Sequence, residues 1–242
     1  MRAFLLNVSF FTRLPVAKFA PYSDERYQKS IKYFPYIGLI IGFFVALPTL
    51  ITSLPEMYTA VLSILVYLII SGGIHLDGYA DTLDGLLSGR TGERVFEIMK
   101  DSRMGAFGTI GIGLYFLILF VFLQNLSFNI VLLSPYVAKL CASIIAGFSK
   151  YPVEKTGMGK LFLDVNTFAT GGVHFVIGLL LIFILGNLNA VIAMFICMAI
   201  AFYIRHWHYR IIGGLTGDSI GFIVESSWLI FIVAYQIISI LI

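Results

Sequence analysis

The stretch GGIHLDGYADTLDGLL, Gly72 to Leu87, closes an apolar run that starts near residue 57 and puts three aspartates directly after it. On a helix with 100° per residue, Asp81 falls about 40° and Asp84 about −20° from Asp77, so the three carboxylates share one narrow stripe. Tyr79, Leu83 and Leu86 fall on the opposite face. Gly78 and Gly85 flank the stripe, where a ligand could come close to the backbone. A carboxylate at the bilayer centre costs about 2.5–3.5 kcal/mol, and three like charges repel one another as well. A hard divalent cation offsets both effects, and an oxygen-only ligand set suits Mg²⁺ with Mn²⁺ as the alternative. The competing interpretation is a solvated acidic helix end that does no chemistry.

The rest of the chain supplies the membrane. Of 242 residues, 59% are hydrophobic and only 12% charged, about half the charge of a soluble domain; the mean hydropathy is +0.95. Seven spans are predicted near 34–53, 57–76, 105–123, 128–148, 172–186, 188–204 and 220–242, the fifth and sixth of them short. The fold class is all-α, a polytopic helical bundle built as one membrane-embedded catalytic domain over residues 1–242. Phe4, Val8 and Phe11 share a face near the N-terminus, which predicts a helix lying in the membrane interface. The stretch around it lacks the features of a cleavable signal. Cys141 and Cys197 sit in apolar runs and are read as reduced packing residues.

Basic residues set the orientation. Six Lys/Arg lie in residues 1–33, four in 77–104, three in 149–171 and two in 205–219, while the intervening connections hold none and Lys139 lies inside the fourth span. That alternation places the N-terminus and the polar loops in the cytoplasm and the C-terminus outside, in the cytoplasmic (inner) membrane. A net charge of +3, thinly spread, excludes a nucleic-acid partner. Glycine-rich spans allow a homo-oligomer.

Two further polar constellations accompany the acidic stripe. In ERVFEIMKDSRMGAFG, Glu93 with Arg90 and Arg94 reads as an ion-paired interfacial helix, whereas Asp101 beside Lys100, Ser102 and Arg103 combines an acid for metal with cations for phosphate. In GGLTGDSIGFIVESS, Asp218 starts the last span and Glu225 lies two turns deeper on the same face. An ionisable residue at that depth is a functional candidate, with pairing to Lys139 as the structural alternative. His75 projects away from the acidic stripe and suits packing. Ser-His-Asp, Walker, dinucleotide and zinc patterns are missing. Clustered acids with nearby cations suit metal-assisted transfer of a phosphoryl group from a diphosphate donor. An ion-coupled transporter and a structural membrane protein are the alternatives from other classes.

Asp81-x-x-Asp84-Gly85 resembles the start of the CDP-alcohol phosphotransferase signature. However, Arg90 comes one place late and Glu97-x-x-x-Asp101 replaces the paired second half, so a lipid-headgroup transferase is the weaker match. The stretches FFTRLPV, YFPYIGLIIG, GGIHLDGYADTLDGLLSGR, EIMKDSRMGAFG and GGLTGDSIG, in this order along nearly the whole chain, resemble the cobalamin synthase family, the adenosylcobinamide-GDP ribazoletransferases. The resemblance implies a Mg²⁺-dependent membrane enzyme that joins adenosylcobinamide-GDP to α-ribazole or its 5′-phosphate and releases GMP. Within that activity, charge and spacing make Asp77, Asp81, Asp84 and Asp101 the candidate metal ligands and Asp81, Asp84 and Asp218 the candidate catalytic residues. Lys100, Arg103, Arg90, Glu225, Gly78 and Gly85 become substrate-binding candidates. A wide opening between the third and last spans is the expected route for the corrinoid.

Overall fold

A computed structural model describes residues 1–152 and 157–241; Lys155 of the third basic loop and Ile242 at the end of the seventh predicted span lie outside them. Among the described residues there is helix and no strand. The helices are α1 (Arg2–Phe11), α2 (Asp24–Ile31), α3 (Phe34–Ala46), α4 (Glu56–Ser71), α5 (Ile74–Leu87), α6 (Glu93–Met99), α7 (Ala106–Leu123), α8 (Phe128–Gly147), α9 (Met158–Val165), α10 (Phe168–Leu185), α11 (Leu188–Ile212) and α12 (Gly217–Leu241). Five of them are long and apolar enough to cross a membrane, and the number rises to seven if each of two bent pairs forms one span.

The axis of the bundle is α8, whose residues from Leu133 to Ala146 are all buried, with α3, α10, α11 and α12 packed around it. Glycine lets α3 approach it: a Cβ at Gly38 would stand 2.5 Å from the Pro135 carbonyl oxygen, and one at Gly42 would collide with the Leu132 carbonyl. In apolar surroundings such backbone proximity is the main source of helix association. Pro135 lies inside α8 and leaves the Val131 carbonyl without its helical donor. Ser134 repairs the gap, donating its hydroxyl to Val131 O at 2.9 Å while accepting from Trp228 Nε1 of α12 at 2.7 Å. The cysteines are buried and free, as their settings suggested.

Four spans differ in their boundaries from the sequence expectation. The second span ends at Ser71 instead of 76, because Gly72 (φ 65°) and Gly73 (φ 73°) are both left-handed and turn the chain by 95° into α5. The first pair, α2 and α3, bends by 73°, and α3 finishes in a 3-10 turn at Leu47–Leu50, where Pro48 stops it. The fifth and sixth spans are full-length helices, α10 and α11. The sequence cut α11 short at Arg205, yet that side chain is accommodated: its guanidinium bonds Phe148 O and Ser149 Oγ and lies 4.2 Å from the Tyr209 ring centroid. Val8 and Phe11 of α1, expected at the membrane interface, are buried within the protein, and α1 packs on α2 and α3.

The polar loops meet at one end of the bundle. Gly92 N donates to Ile211 O, Lys150 N to Tyr209 Oη, and Leu215 N to Lys150 O. There α5 packs along α7 and α12, reaching their first turns at Asp84 and Gly78 and running on to Gly111 and Tyr115 of α7 through Leu83 and Tyr79.

If the α3–α8 contact is set by absent side chains, Gly42→Ala should cost roughly 1–3 kcal/mol, read as a lowered thermal midpoint in detergent. Gly113→Ala, where a Cβ meets nothing within 4 Å, should leave the midpoint unchanged.

Candidate active site

The site is built on α5, whose limits coincide with the helix drawn from the acidic stripe. Its first half crosses the start of α12 at backbone contact. A Cβ on Gly78 would lie 2.8 Å from Asp218 Cα, and one on Gly221 would lie 2.9 Å from His75 O. Its second half crosses the start of α7, where Gly108 would meet Asp84 Oδ2 at 2.5 Å. The crossing brings Asp77 and Asp81 together with Asp218, which is 137 residues further along in the case of Asp81. Their charges act on one another: burial first, then the carboxylates of Asp77, Asp218 and Asp84, push the Asp81 carboxyl up to about 7. Lys100 contributes positive charge felt at Asp218.

The other predicted ligands are engaged elsewhere. Asp84 accepts hydrogen bonds from Gly105 N at 2.7 Å and Gly108 N at 2.9 Å, so its carboxylate caps α7 from a different helix. Asp101 is exposed and clasped by its neighbour, accepting from Arg103 N and Nε at 3.0 Å each and from Nη2 at 2.7 Å. Those bonds hold its carboxyl down to about 2. Among the described residues, no three His, Cys, Asp or Glu side chains form a group able to hold a metal ion by themselves. The set Asp77, Asp81, Asp84 and Asp101 is therefore not assembled as one protein cage. A helical wheel gives the face of a residue and says nothing of the partner lying against it.

The substrate-binding candidates separate in the same way. Gly78 and Gly85 leave no room for a ligand: α12 fills the space at Gly78, and Met99 Cγ would stand 2.6 Å from a Cβ at Gly85. Arg90 is exposed on the loop after α5 and Arg94, not Arg90, forms the ion pair of α6, with Glu97. Glu225 is buried to 1% exposure and accepts from Tyr67 Oη at 2.6 Å and from Tyr115 Oη. It lines neither of the two cavities beside α5. His75 is buried against Phe11 and Phe34, as its helical position suggested.

Arg13 was missed. It lies in a cleft of about 670 Å³ between α1, the α4–α5 break and α7, whose wall also holds Ser71, Gly72, Asp77 and Met104. Its backbone N–H donates to Ile70 O at 2.7 Å, and its side chain runs over Gly72, where a Cβ would collide with Nε. The guanidinium itself has no ion-pair or hydrogen-bond partner among the described residues. The only sequence signal was its place in FFTRLPV, which carried no charge partner nearby. The cleft lies beside the third span but faces α1 and α4, not the last span, so it is not the opening expected between the third and last spans.

The Asp81 shift has a consequence for stability. Unfolded, an aspartate titrates near 3.9, so between about pH 4 and 7 the folded protein binds its proton more tightly and stability falls as pH rises through that window. The full shift is equivalent to about 4 kcal/mol, which solvent at this half-exposed position reduces to about 1 kcal/mol. Asp81→Asn should then raise the thermal midpoint at pH 8 by about 2–4 °C in metal-free detergent and leave it unchanged at pH 4. A lower midpoint at pH 8 would show that the ionised carboxylate has a stabilising partner instead.

The family model described as cobalamin-5-phosphate synthase matches residues 3–236. A protein of Alkaliphilus oremlandii named adenosylcobinamide-GDP ribazoletransferase is 36% identical over the whole of both chains. Proteins with the same name from Fusobacterium nucleatum and Clostridium novyi are each 34% identical, covering 98% of both chains and 97% and 96%, respectively. No solved structure matches. With a family match along nearly its full length, the chain belongs to the cobalamin-5-phosphate synthase family.

Proposed function

We propose that this chain transfers the adenosylcobinamide phosphate of adenosylcobinamide-GDP to a hydroxyl of α-ribazole or its 5′-phosphate, releasing GMP, as the last step of nucleotide-loop assembly. The observation that carries this reading is the full-length family match together with a cleft that sets Arg13, unpartnered among the described residues, beside the acidic stripe. The acids gather at the loop-bearing end of the bundle and not at its middle, which favours a transferase over an ion-coupled carrier. The same gathering, with the alternation of loop cations, supports a site on the cytoplasmic side of the inner membrane, with the N-terminus inside and the C-terminus outside.

The donor set suits Mg²⁺ only with help from substrate. Asp77 and Asp81 offer oxygen ligands on one face, and Mg²⁺ is commonly held by one or two carboxylates plus substrate phosphates. The charge crowding that raises the Asp81 pKa is what a divalent cation relieves; Mn²⁺ would serve the same role. When bound, the ion would supply charge neutralisation for the diphosphate and its leaving group. Arg13 holds the diphosphate by its planar guanidinium, and Lys100 steadies the GMP side. Asp218 accepts the proton of the attacking hydroxyl. The oxygen–phosphorus bond forms to the cobinamide phosphate, the bond to the GMP oxygen breaks, and its electron pair leaves with GMP. Asp84 and Glu225 support this site by holding α7 and by tying α4, α7 and α12 together.

Purified protein given adenosylcobinamide-GDP, α-ribazole and Mg²⁺ should release GMP and stop when a chelator is added. Asp81→Asn should lower the rate by at least about a hundredfold with normal membrane insertion. GMP release unaffected by the chelator and by this change would reject the metal role of Asp81. Proton and metal compete for the same carboxylate, so the Mg²⁺ concentration giving half-maximal rate should rise as pH falls below about 7. A half-maximal concentration constant from pH 8 to 6 would contradict that competition.

A further inference from the structure

A second cavity opens on the other side of the first turn of α5, away from the Arg13 cleft. It encloses about 230 Å³, and its inner wall is aromatic: Phe11, Tyr27 and Phe162 line it and all three are buried. His75 closes the back, stacked on Phe11 with ring centroids 5.5 Å apart. Phe34 braces Phe162 edge-on at 4.9 Å. The mouth is exposed and carries Met158 and Asp218.

Size and chemistry restrict the occupant. The volume equals that of about eight waters of liquid and lies below the roughly 300–1,000 Å³ of pockets for drug-sized ligands. It has room for a flat bicyclic ring and none for a corrinoid. Aromatic walls favour an apolar aromatic ring, by stacking or edge contact. Among the described residues, neither Lys nor Arg lines the cavity. Tyr27, only 2% exposed, adds a phenol ring to this wall.

We propose that this cavity is the acceptor subsite and takes the base of a nucleoside whose base is a flat, weakly polar bicycle, the class to which ribazole belongs. This deepens the transferase reading and rests on it. With its base in the aromatic slot, the nucleoside projects its ribose through the mouth. There a hydroxyl meets Asp218, which takes the proton as the oxygen bonds to phosphorus and GMP departs. Donor and acceptor thus occupy opposite sides of one helix turn, with Asp77 in the wall of the first cavity and Asp218 at the rim of the second. The slot also explains how guanine, the donor's own base, is kept from the acceptor position. Its polar edge groups would be buried without partners, and that discriminates strongly.

The test separates the two substrates. Met158→Trp, at an exposed position, should narrow the mouth and raise KM for α-ribazole at least tenfold while leaving KM for adenosylcobinamide-GDP within twofold. Phe162→Ala should do the same by removing the wall. Titration of α-ribazole alone, followed by the fluorescence of its base, should show the same loss of affinity in both variants. If wild-type protein releases GMP and both variants keep the wild-type KM and affinity for α-ribazole, or if the donor KM rises instead, the subsite is overturned. Absence of GMP release by wild-type protein would overturn the transferase reading on which the subsite rests.

Discussion

Two consecutive left-handed glycines, Gly72 and Gly73, constrain the rest of the structure. No side chain adopts that pair of conformations without strain, so the chain leaves α4 at 95° and lays α5 against α7 and α12. A straight continuation would have carried Asp77, Asp81 and Asp84 away along the axis of α4. The turn instead sets them against the first turns of α7 and α12, where backbone meets backbone at Gly78 and Gly221. Arg13 completes the arrangement by lying over Gly72, which leaves space only because it has no Cβ. The break, the cleft and the gathering of acids are one feature.

An apolar bundle that carries such a polar end is stabilised by matching its interior polar groups, because unsatisfied ones cost several kcal/mol each in hydrocarbon. Glu225 shows how. Its two carboxylate oxygens are taken by Tyr67 of α4 and Tyr115 of α7, and it belongs to α12 itself. One side chain thus links three helices, two of which, α7 and α12, pack against α5. The Ser134 hydroxyl works similarly at the axis, mending the backbone at Pro135 and anchoring Trp228. Asp84 does so at the bundle end by capping α7. Acids that look functional in a membrane sequence thus divide into those whose oxygens the protein has already used and those left for a ligand.

That division was not legible in the sequence. Hydropathy revealed the helical class, and periodicity drew α5 from Ile74 to Leu87 with its acids on one stripe, since both depend on local residues. Partners do not. Asp84 meets Gly105 and Gly108 across a helix crossing, and the short-range clasp of Asp101 by Arg103 competes with any metal. Gly78 and Gly85 read as openings for ligand because a wheel shows missing side chains without showing what fills the space. Glycine also misled the other way at Gly72–Gly73, where an apolar average over residues 57–76 hid a sharp turn. Arg13 and the aromatic residues of α1 and α2 were passed over because they belong to a segment that reads as a peripheral helix and acquires its role only by folding onto α5.

The claim that α5 turns back across α12 can be measured without substrate. With Cys141 and Cys197 replaced, cysteines introduced by Asp77→Cys and Asp218→Cys should be joined in native membranes by a short bifunctional thiol reagent. The helices meet at backbone contact beside these positions, a Cβ on Gly78 standing 2.8 Å from the Asp218 Cα, so the two thiols come within reach of the reagent without placing a side chain where none fits. Rapid crosslinking of folded protein is the predicted result. Crosslinking that appears only after denaturation, or not at all, would mean that α5 continues along α4 and that the acids never meet Asp218.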